Sequence, residues 1–330
     1  MPGSRRCRQR ARRSPADPRP PVDDCGLSDV QATVRPGRTH MKAREFWLLF
    51  APSLLVMSAL LVLPLVRTVQ WSFEQVRYGT PGTFVGLANF TDALTDTRFH
   101  KAVLFTVAVT VITTIILLVA GYIIATGINR ITTSRPLVLG IMLVSYVLPN
   151  LVGAVAFSWL FDDNFGGVVN RLIGFFGGTQ VLWFTDQVPN AILVIANTVW
   201  HMLPFAMLII LAGLQGVPAE LKEAAKIDGA SAFQTHLHVI IPTIRGVLGF
   251  VTLITIMDVL RMFDNLIPLS PQAQSIGNES IMLYVYSVAF ADGAEKLGLG
   301  SAINVLTILL ILVMLIPFIR GIFKEAKAER

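Results

Sequence analysis

The chain has 330 residues, of which 53% are hydrophobic and only 15% are charged, and its mean hydropathy is +0.63. This composition is too apolar for a soluble domain of this length, and it predicts an all-α, polytopic membrane protein. The net charge of +6 is explained by basic residues gathered on one side of a bilayer, so nucleic acid is not expected as a partner.

The first 40 residues form a tail of different character from the rest. They are rich in Arg and Pro and show no periodicity, which predicts a disordered, basic, solvated segment. Met41 is followed closely by a long apolar run, so we hypothesise that translation starts there, which N-terminal sequencing of natively expressed protein tests. Cys7 and Cys25, the two cysteines of the chain, lie in this tail and predict neither a disulfide framework nor a thiolate metal site.

Six apolar runs follow, each of about the 20 residues that cross the hydrocarbon core. They are residues 46–66, 102–128, 137–161, 191–217, 244–263 and 302–319. Six spans put both chain ends on one side of the membrane. Of the 27 Lys and Arg residues, 20 lie in the tails and loops of that side, so the positive-inside rule predicts cytoplasmic termini.

A polar segment, residues 218–242, separates the fourth run from the fifth and is called the elbow segment below. Pro218 suits the first helical position, and strong helix formers fill residues 219–228. Gly229 is placed for a left-handed helix cap, and Ser231 for the N-cap of a second short helix. The sequence therefore predicts a helix–turn–helix elbow outside the bilayer.

The elbow segment contains Glu223-Ala224-Ala225, then Gly229 after a gap of three residues, and later Val239, Ile241 and Pro242. This pattern resembles the EAA loop of the permease subunits of bacterial ATP-binding cassette importers. In that family the loop is the coupling helix that docks on a cytoplasmic ATPase. The resemblance implies the following ATPase-coupling residues: Glu220, Glu223, Ala224, Ala225, Asp228, Gly229 and Pro242.

The physical chemistry of the elbow segment fits that role. Paired alanines are expected to leave one helical face almost without side chains, so that another surface can approach closely, and the carboxylates suit basic residues of a partner. An ordinary amphipathic helix at the membrane surface is the alternative interpretation.

Further elements, in the expected order, resemble the carbohydrate branch of the same family, the maltose and glycerol-phosphate type. They are residues 71–73 (WSF), 86–90 (GLANF), 263–269 (FDNLIPL), 284–286 (YVY) and 298–302 (GLGSA). The chain departs from the family at Ser270-Pro271, where a TxGGP sequence usually follows. Together the elements extend from about residue 44 to residue 320, and the chain is identified as a member of this family.

The resemblance implies a type I importer in a bacterial cell membrane. Such an importer has a cytoplasmic ATPase dimer, a second homologous permease and an extracytoplasmic sugar-binding protein. ATP and Mg²⁺ would be bound by the ATPase, so no cofactor is expected in this chain. The sequence contains no Walker A loop, no nucleophile elbow and no zincin motif, so we expect a protein that is not an enzyme and has neither catalytic residues nor a metal site.

Polar or aromatic residues in the apolar runs are candidates for a substrate pathway, with packing or hydrogen bonding as the alternative role. They are Asn150, Trp159, Asn197, Asp258 and Asn265. A carboxylate at mid-membrane costs roughly 2.5–3.5 kcal/mol, so Asp258 is expected to pair with Arg261, one helical turn away, or to face an aqueous cavity. Asp258 also supports an alternative function, that of a proton-coupled secondary transporter. Pro149 and Gly153 predict a local break in the third run.

Overall fold

The computed structural model describes residues 43–77, 81–162, 164, 167–291, 293 and 295–328. The predicted disordered tail and the hypothesised start at Met41 lie outside the described residues. The chain divides into two compact units, one ending at Leu60 and one beginning at Leu61. The described part of the first unit is the beginning of helix α1 (Ala43–Ser72), and this helix continues into the second unit.

The second unit is mostly helical, with one two-stranded antiparallel hairpin. Its first elements are β1 (Glu74–Gln75), β2 (Thr83–Phe84), α2 (Ala88–Thr95), α3 (Thr97–Arg130), α4 (Arg135–Val147), α5 (Asn150–Ser158), α6 (Val168–Phe175) and α7 (Gln187–Gln215). The elbow segment then forms α8 (Ala219–Ile227), α9 (Ala232–Thr235), a π-helical stretch (His236–Ile240) and the beginning of α10 (Ile241–Thr243). The remaining elements are α11 (Arg245–Leu260), α12 (Leu266–Leu269), α13 (Ala273–Ile276), α14 (Ile281–Tyr286), a second π-helical stretch (Ser287–Ala291) and α15 (Leu297–Ala328).

Among the described residues, four helices are long and apolar enough to cross a membrane: α1, α3, α7 and α15. Two further helix pairs meet the same criterion as broken spans. Helices α4 and α5 form one pair, bent by 97°, and residues 232–243 with α11 form the other, bent by 71°. Counting each bent pair as one span gives six, the number predicted from the sequence.

The break in the third span lies at Pro149. Leu148 and Pro149 have extended ψ angles of 138° and 134°, and α5 begins at the next residue. A proline disfavours helical geometry at the residue before it and cannot donate a helical hydrogen bond. The predicted break is therefore confirmed, and it places Asn150 at the start of a new helix.

Helices α3 and α7 pack along each other at the centre of the core. The fully buried Leu117, Met207 and Ile210 lie in their interface. Gly121 permits this close approach, since a Cβ atom there would lie 3.3 Å from the side chain of Ile210 and 3.6 Å from the backbone nitrogen of Met207. Small residues at such contacts are typical of helix packing within membranes.

The other side of α3 carries an apolar stripe that is exposed. Val111, Ile115, Val119 and Ile123 recur at intervals of four residues and lie on one face. A helix that is apolar on its exposed face as well as its buried face is typical of a membrane span. The stripe therefore has the character of a surface facing lipid or another apolar protein surface.

At the opposite end of the bundle from the elbow segment, an ion pair ties α3 to the loop before α14. Arg98 contacts Glu279 through two bonds, Nε–Oε2 and Nη2–Oε1, both of 2.7 Å. The guanidinium carbon lies 5.0 Å from the centre of the Tyr284 ring, and the Tyr284 hydroxyl donates to Oδ2 of Asp96 over 2.5 Å. This network fixes the N-terminal end of α3 against the segment that follows the fifth span.

Candidate functional site

A cavity of about 330 Å³ lies between the third, fourth and fifth spans. Its wall includes polar and aromatic side chains from four segments: Tyr146 of α4, Asn150 of α5, Thr198, His201 and Phe205 of α7, and Asp258, Arg261 and Asn265 at the end of α11 and just beyond it. The break at Pro149 contributes to this lining, because it brings the end of α4 and the start of α5 to the same cavity.

One wall of the cavity is aromatic. The Tyr146 ring is stacked on Phe205, with 5.5 Å between ring centres and 18° between planes. The ring of His201 lies 6.0 Å from the same tyrosine. His201 Nδ1 is buried and has no hydrogen-bond partner among the described residues.

Asn265 supplies a second group with spare hydrogen-bonding capacity. Its Nδ2 atom donates to Oγ1 of Thr198 over 3.4 Å, and that hydroxyl donates to the carbonyl of Val194 over 2.8 Å. The Oδ1 atom of Asn265 has no partner within the described part of the chain. A buried acceptor without a partner is costly.

Asp258 and Arg261 form the ion pair that the sequence predicts. Oδ1 of Asp258 lies 3.3 Å from Nη2 of Arg261, and Arg261 Nε also donates to the carbonyl of Met257 over 3.3 Å. Both side chains are half-exposed along the cavity. Because both side chains are exposed, the two charges are accessible from the cavity.

The structure brings three of the five candidate pathway residues together at the cavity and places two elsewhere. Asn150, Asp258 and Asn265 line it. Asn197 is 1% exposed, and neither polar atom of its amide has a partner among the described residues. Trp159 lies half-exposed just beyond the end of α5, outside the cavity lining.

Sequence reasoning missed part of the lining, including Tyr146, Thr198 and Phe205. His201, which the sequence favours as an ordinary buried histidine and not as a metal ligand, also lines the cavity. Thr198, His201 and Phe205 recur at intervals of three and four residues, so one face of the fourth span carries all of them. This helical spacing is visible in the sequence and could have identified the cavity-facing side of the fourth span. The described residues contain no group of three or more His, Cys, Asp or Glu side chains placed to hold a metal ion.

The elbow segment folds largely as predicted. Helix α8 is followed by Gly229 in a left-handed conformation with φ of +78°, and Ser231 caps α9. The cap is a reciprocal capping box, in which Gln234 N donates to Ser231 Oγ and Ser231 N donates to Gln234 Oε1. Pro218 is the N-cap rather than the first helical residue, a difference of one position, because its ψ of 139° is extended.

The two adjacent alanines of α8 do not share a face. Ala224 is exposed, together with Glu220, Glu223 and Asp228, whereas Ala225 is only 7% exposed. Successive residues of a helix differ by 100° in direction, so one alanine faces outward and the next faces the bundle. Gly229 and Pro242 are exposed as well. The expectation of one face bare at both alanines is therefore wrong, and the bare position of the outer face is Ala224.

Two large apolar side chains accompany these exposed groups. Ile227, at the end of α8, is 86% exposed, and Phe233, in α9, is 74% exposed. Ile227 lies beside carboxylates and outside the candidate spans, whereas Phe233 lies at the start of the bent pair counted as the fifth span. An apolar patch with a charged rim is typical of a protein–protein contact.

A bundle of apolar spans around a polar and aromatic cavity, with a charged helical elbow outside it, is the architecture of a membrane transport permease. The family described as binding-protein-dependent transport system inner membrane component matches residues 117–316. This chain belongs to that family, as the resemblance at the EAA loop predicts.

Curated relatives extend the match beyond the family segment. The trehalose transport system permease protein SugA of Mycobacterium tuberculosis (strain H37Rv) is 30% identical over 291 residues, which cover 87% of this chain and 91% of the relative. The trehalose/maltose transport system permease protein MalF of Thermococcus litoralis is 27% identical over 282 residues, 85% of this chain and 94% of the relative. These relatives are transport permeases, so the chain is a permease and not an enzyme.

The fold also matches a solved structure, a bacterial ABC transporter involved in the import of the acidic polysaccharide alginate. The TM-score is 0.72 at 19% identity, and the match covers 84% of this chain and 96% of that one. At this identity the likeness concerns the fold, which is confirmed as that of an ABC importer permease.

Proposed function

We propose that this chain is the permease subunit that moves a carbohydrate across a bacterial cell membrane, delivered by an external solute-binding protein and driven by a separate ATPase dimer. A second homologous permease completes the pathway, and both termini and the elbow segment face the cytoplasm. Membership of the family supports the transport role, and the sugar transport systems named for SugA and MalF support the carbohydrate.

The observation that carries the coupling role is the exposure of the outer face of α8. Ala224 stands there without a bulky side chain, so a partner backbone can approach closely. Glu220, Glu223 and Asp228 supply carboxylates around it, and Ile227 supplies apolar area at the centre of such a contact. Movement of the ATPases would be transmitted through this face to the spans.

Docking on this face is tested by filling it. Ala224→Trp should leave membrane insertion intact and release the ATPase during purification. Ala224 is exposed on α8, so the larger side chain points away from the bundle core. The matched control is Leu94→Trp, which enlarges an exposed residue of α2 at the other end of the bundle. Continued copurification of ATPase with Ala224→Trp and continued transport would contradict the assignment.

The cavity chemistry supports a carbohydrate as the solute. Sugars present hydroxyl groups that both donate and accept hydrogen bonds, and their apolar ring faces pack on aromatic side chains. The cavity offers the charges of Asp258 and Arg261 and the stacked rings of Tyr146 and Phe205. Asn265 and His201 of its wall each have a buried polar atom without a partner in the described part of the chain. Few placed polar groups on a partly apolar wall are typical of a small-molecule site.

This solute role is tested at Asn150, which lines the cavity at the start of α5. Asn150→Leu should reduce uptake in cells that contain normal amounts of the assembled transporter. The control is Val147→Leu, an exposed apolar residue of the same broken span that does not line the cavity. Equal uptake by both variants would exclude Asn150 from the solute pathway.

A proton-coupled secondary transporter is the second candidate, because Asp258 lies in the cavity and titratable carboxylates carry protons in such proteins. In this structure the Asp258 carboxylate is paired with Arg261, which carries a permanent positive charge. Sealed vesicles distinguish the two energy sources. Uptake that an uncoupler abolishes and ATP does not affect would favour the second candidate, whereas uptake that requires ATP favours the first.

A further inference from the structure

The loop between the third and fourth spans contains an amphipathic helix that the transport function does not explain. Helix α6 carries Val168, Leu172 and Phe175 at positions i, i+4 and i+7, and Phe176 follows directly. All four are exposed, and the two phenylalanines are each 83% exposed. These spacings put the four side chains on one face of the helix.

The opposite face of α6 is held by the protein. Asn170 Nδ2 donates to the carbonyl of Val181 over 3.0 Å, and Asn170 Oδ1 accepts from Val181 N and from Trp183 Nε1 over 3.2 and 3.1 Å. Ile173 packs behind Gly178, where a Cβ atom would lie 2.5 Å from its side chain. The orientation of the apolar face, away from the loop, is therefore fixed by hydrogen bonds and by packing.

The helix is also tied to the ends of the two neighbouring spans. Val169 N donates to the carbonyl of Leu160, two residues beyond α5, over 3.0 Å. Trp183 packs edge-on against Phe161 with 5.0 Å between ring centres, and its carbonyl accepts from Asn190 of α7 over 3.1 Å. These bonds hold α6 beside the ends of the third and fourth spans, so it does not extend away from the bundle.

The exposed face continues the apolar surface of the spans themselves. Trp159 and Leu160 are exposed at the end of the third span, and Val188 and Ile192 are exposed at the start of the fourth. Tryptophan is enriched where a membrane span meets the headgroups. Since the two spans stand in lipid, the bilayer is the apolar phase with which the face of α6 is continuous.

A cation flanks this face. Arg171 is exposed and lies four residues before Phe175, at the border of the apolar side chains. An arginine in this position buries its methylene groups and places its guanidinium among lipid phosphates. An arginine at the edge of an apolar face therefore fits a surface that contacts lipid headgroups at its rim and acyl chains at its centre.

From these observations we propose that α6 is an in-plane membrane anchor, with Val168, Leu172, Phe175 and Phe176 in the interfacial layer of the leaflet opposite the elbow segment. Helix α7 crosses the bilayer once between the two, which puts them on opposite sides. The anchor fixes the outer ends of the third and fourth spans, both of which line the cavity. Its partner is the lipid surface and not the solute-binding protein.

Fluorescence quenching by brominated lipid tests the anchor. The full chain, with the subunits that copurify, is placed in lipid nanodiscs after Cys7 and Cys25 are changed to serine. A polarity-sensitive fluorophore is attached to Phe175→Cys or to Leu172→Cys. Both probes should emit at shorter wavelength than in water and should be quenched when the acyl chains are brominated. The matched control is Thr179→Cys, an exposed residue of the same loop outside α6, where neither effect is expected.

Two results would contradict the assignment of α6 to the lipid surface. Water-like emission at both Phe175→Cys and Leu172→Cys, without quenching, would overturn the proposal. So would protection of these probes only after the solute-binding protein is added, because the face would then be a protein contact. The lipid measurement requires neither transport nor ATP, so it stays informative if the proposed transport function is wrong.

Discussion

The hydroxyl group of Tyr122 lies 2.7 Å from Nδ1 of His236, and this contact joins helix α3 to the π-helical stretch of the elbow segment. The two rings meet edge-on, with 5.9 Å between their centres. The residues are 114 positions apart in the chain. A movement imposed on the elbow segment therefore has a direct side-chain connection to a helix that packs along the cavity-lining α7.

Tyr122→Phe removes the hydroxyl and keeps the ring. One hydrogen bond contributes about 0.5–1.5 kcal/mol net, so we expect the amount of solute moved per ATP hydrolysed to fall by about 2- to 10-fold, with the ATPase still bound. Solute uptake and phosphate release are measured together in vesicles. His238→Gln is the control, because His238 is exposed on the same stretch and bonds only locally to the Gln234 carbonyl among the interactions described. An equal loss in this control would refute a specific role for Tyr122.

Glu279→Gln should destabilise the protein more than any change at an exposed ion pair. The Glu279 side chain is 5% exposed and faces the Arg98 guanidinium through two bonds of 2.7 Å. Removing one member of a buried pair costs about 3–5 kcal/mol, because the other charge remains buried. Thermal unfolding in detergent measures the effect. Arg261→Gln, at the half-exposed pair, is expected to change stability by less than about 1 kcal/mol.

Tyr284 should make stability depend on pH in the alkaline range. Burial, and then the hydrogen bond to Asp96, raise the pKa of this phenol above its usual 10.0. Since the folded state holds the proton more tightly than the unfolded state, the stabilisation is complete below pH 10 and declines as the pH rises above it. Unfolding of the wild type should show this decline, and Tyr284→Phe should lack that component. An identical pH slope in both proteins would contradict it.

Gly229 offers a test of backbone conformation without a steric clash. Its φ is +78°, and a Cβ atom there would contact nothing within 4 Å. A branched residue in this left-handed region costs about 1–2 kcal/mol, whereas asparagine adopts it readily. Gly229→Val is therefore expected to weaken ATPase association and transport, and Gly229→Asn to retain most of both. If the two variants behaved alike, the φ angle would not be the reason for the glycine.

Asn197 is buried with both polar atoms unpaired among the described residues. In a static core, replacing such an amide with a side chain of similar size is neutral or stabilising. Asn197→Leu should therefore keep or raise the thermal midpoint. If the amide gains partners in another conformation of the transport cycle, uptake should fall nonetheless. Unchanged uptake together with unchanged stability would leave no transport role for this residue.

Some of this architecture follows from residues close together in the chain. Apolar runs of membrane-spanning length predict the spans, and Pro149 predicts the break because it lacks a helical donor. Gly229 and Ser231 predict the turn between α8 and α9 for reasons of local backbone geometry. The predicted boundaries were less accurate. Helix α15 begins at Leu297 and not near residue 302, because the helix starts several residues before the apolar run.

The short helices outside the spans, among them α2, α6 and α13, were not predicted, because they lack the length that makes a periodic pattern distinct. The amphipathic face of α6 becomes evident only when Asn170 is seen bonded to the loop behind it. Similarly, the alanine pair of α8 shows its two different environments only once the helix is packed against the bundle.

The amino-acid sequence alone determined the membrane class, the six apolar runs, the family and the local form of the elbow segment. These follow from composition, from the length of apolar runs, from short motifs in a given order and, in the elbow segment, from neighbours within a few residues. The tertiary structure decided which side chains meet. Arg98 and Glu279 are 181 residues apart, and the cavity combines residues from three spans. Such contacts depend on how helices pack, and spacing along one chain carries no direct record of that.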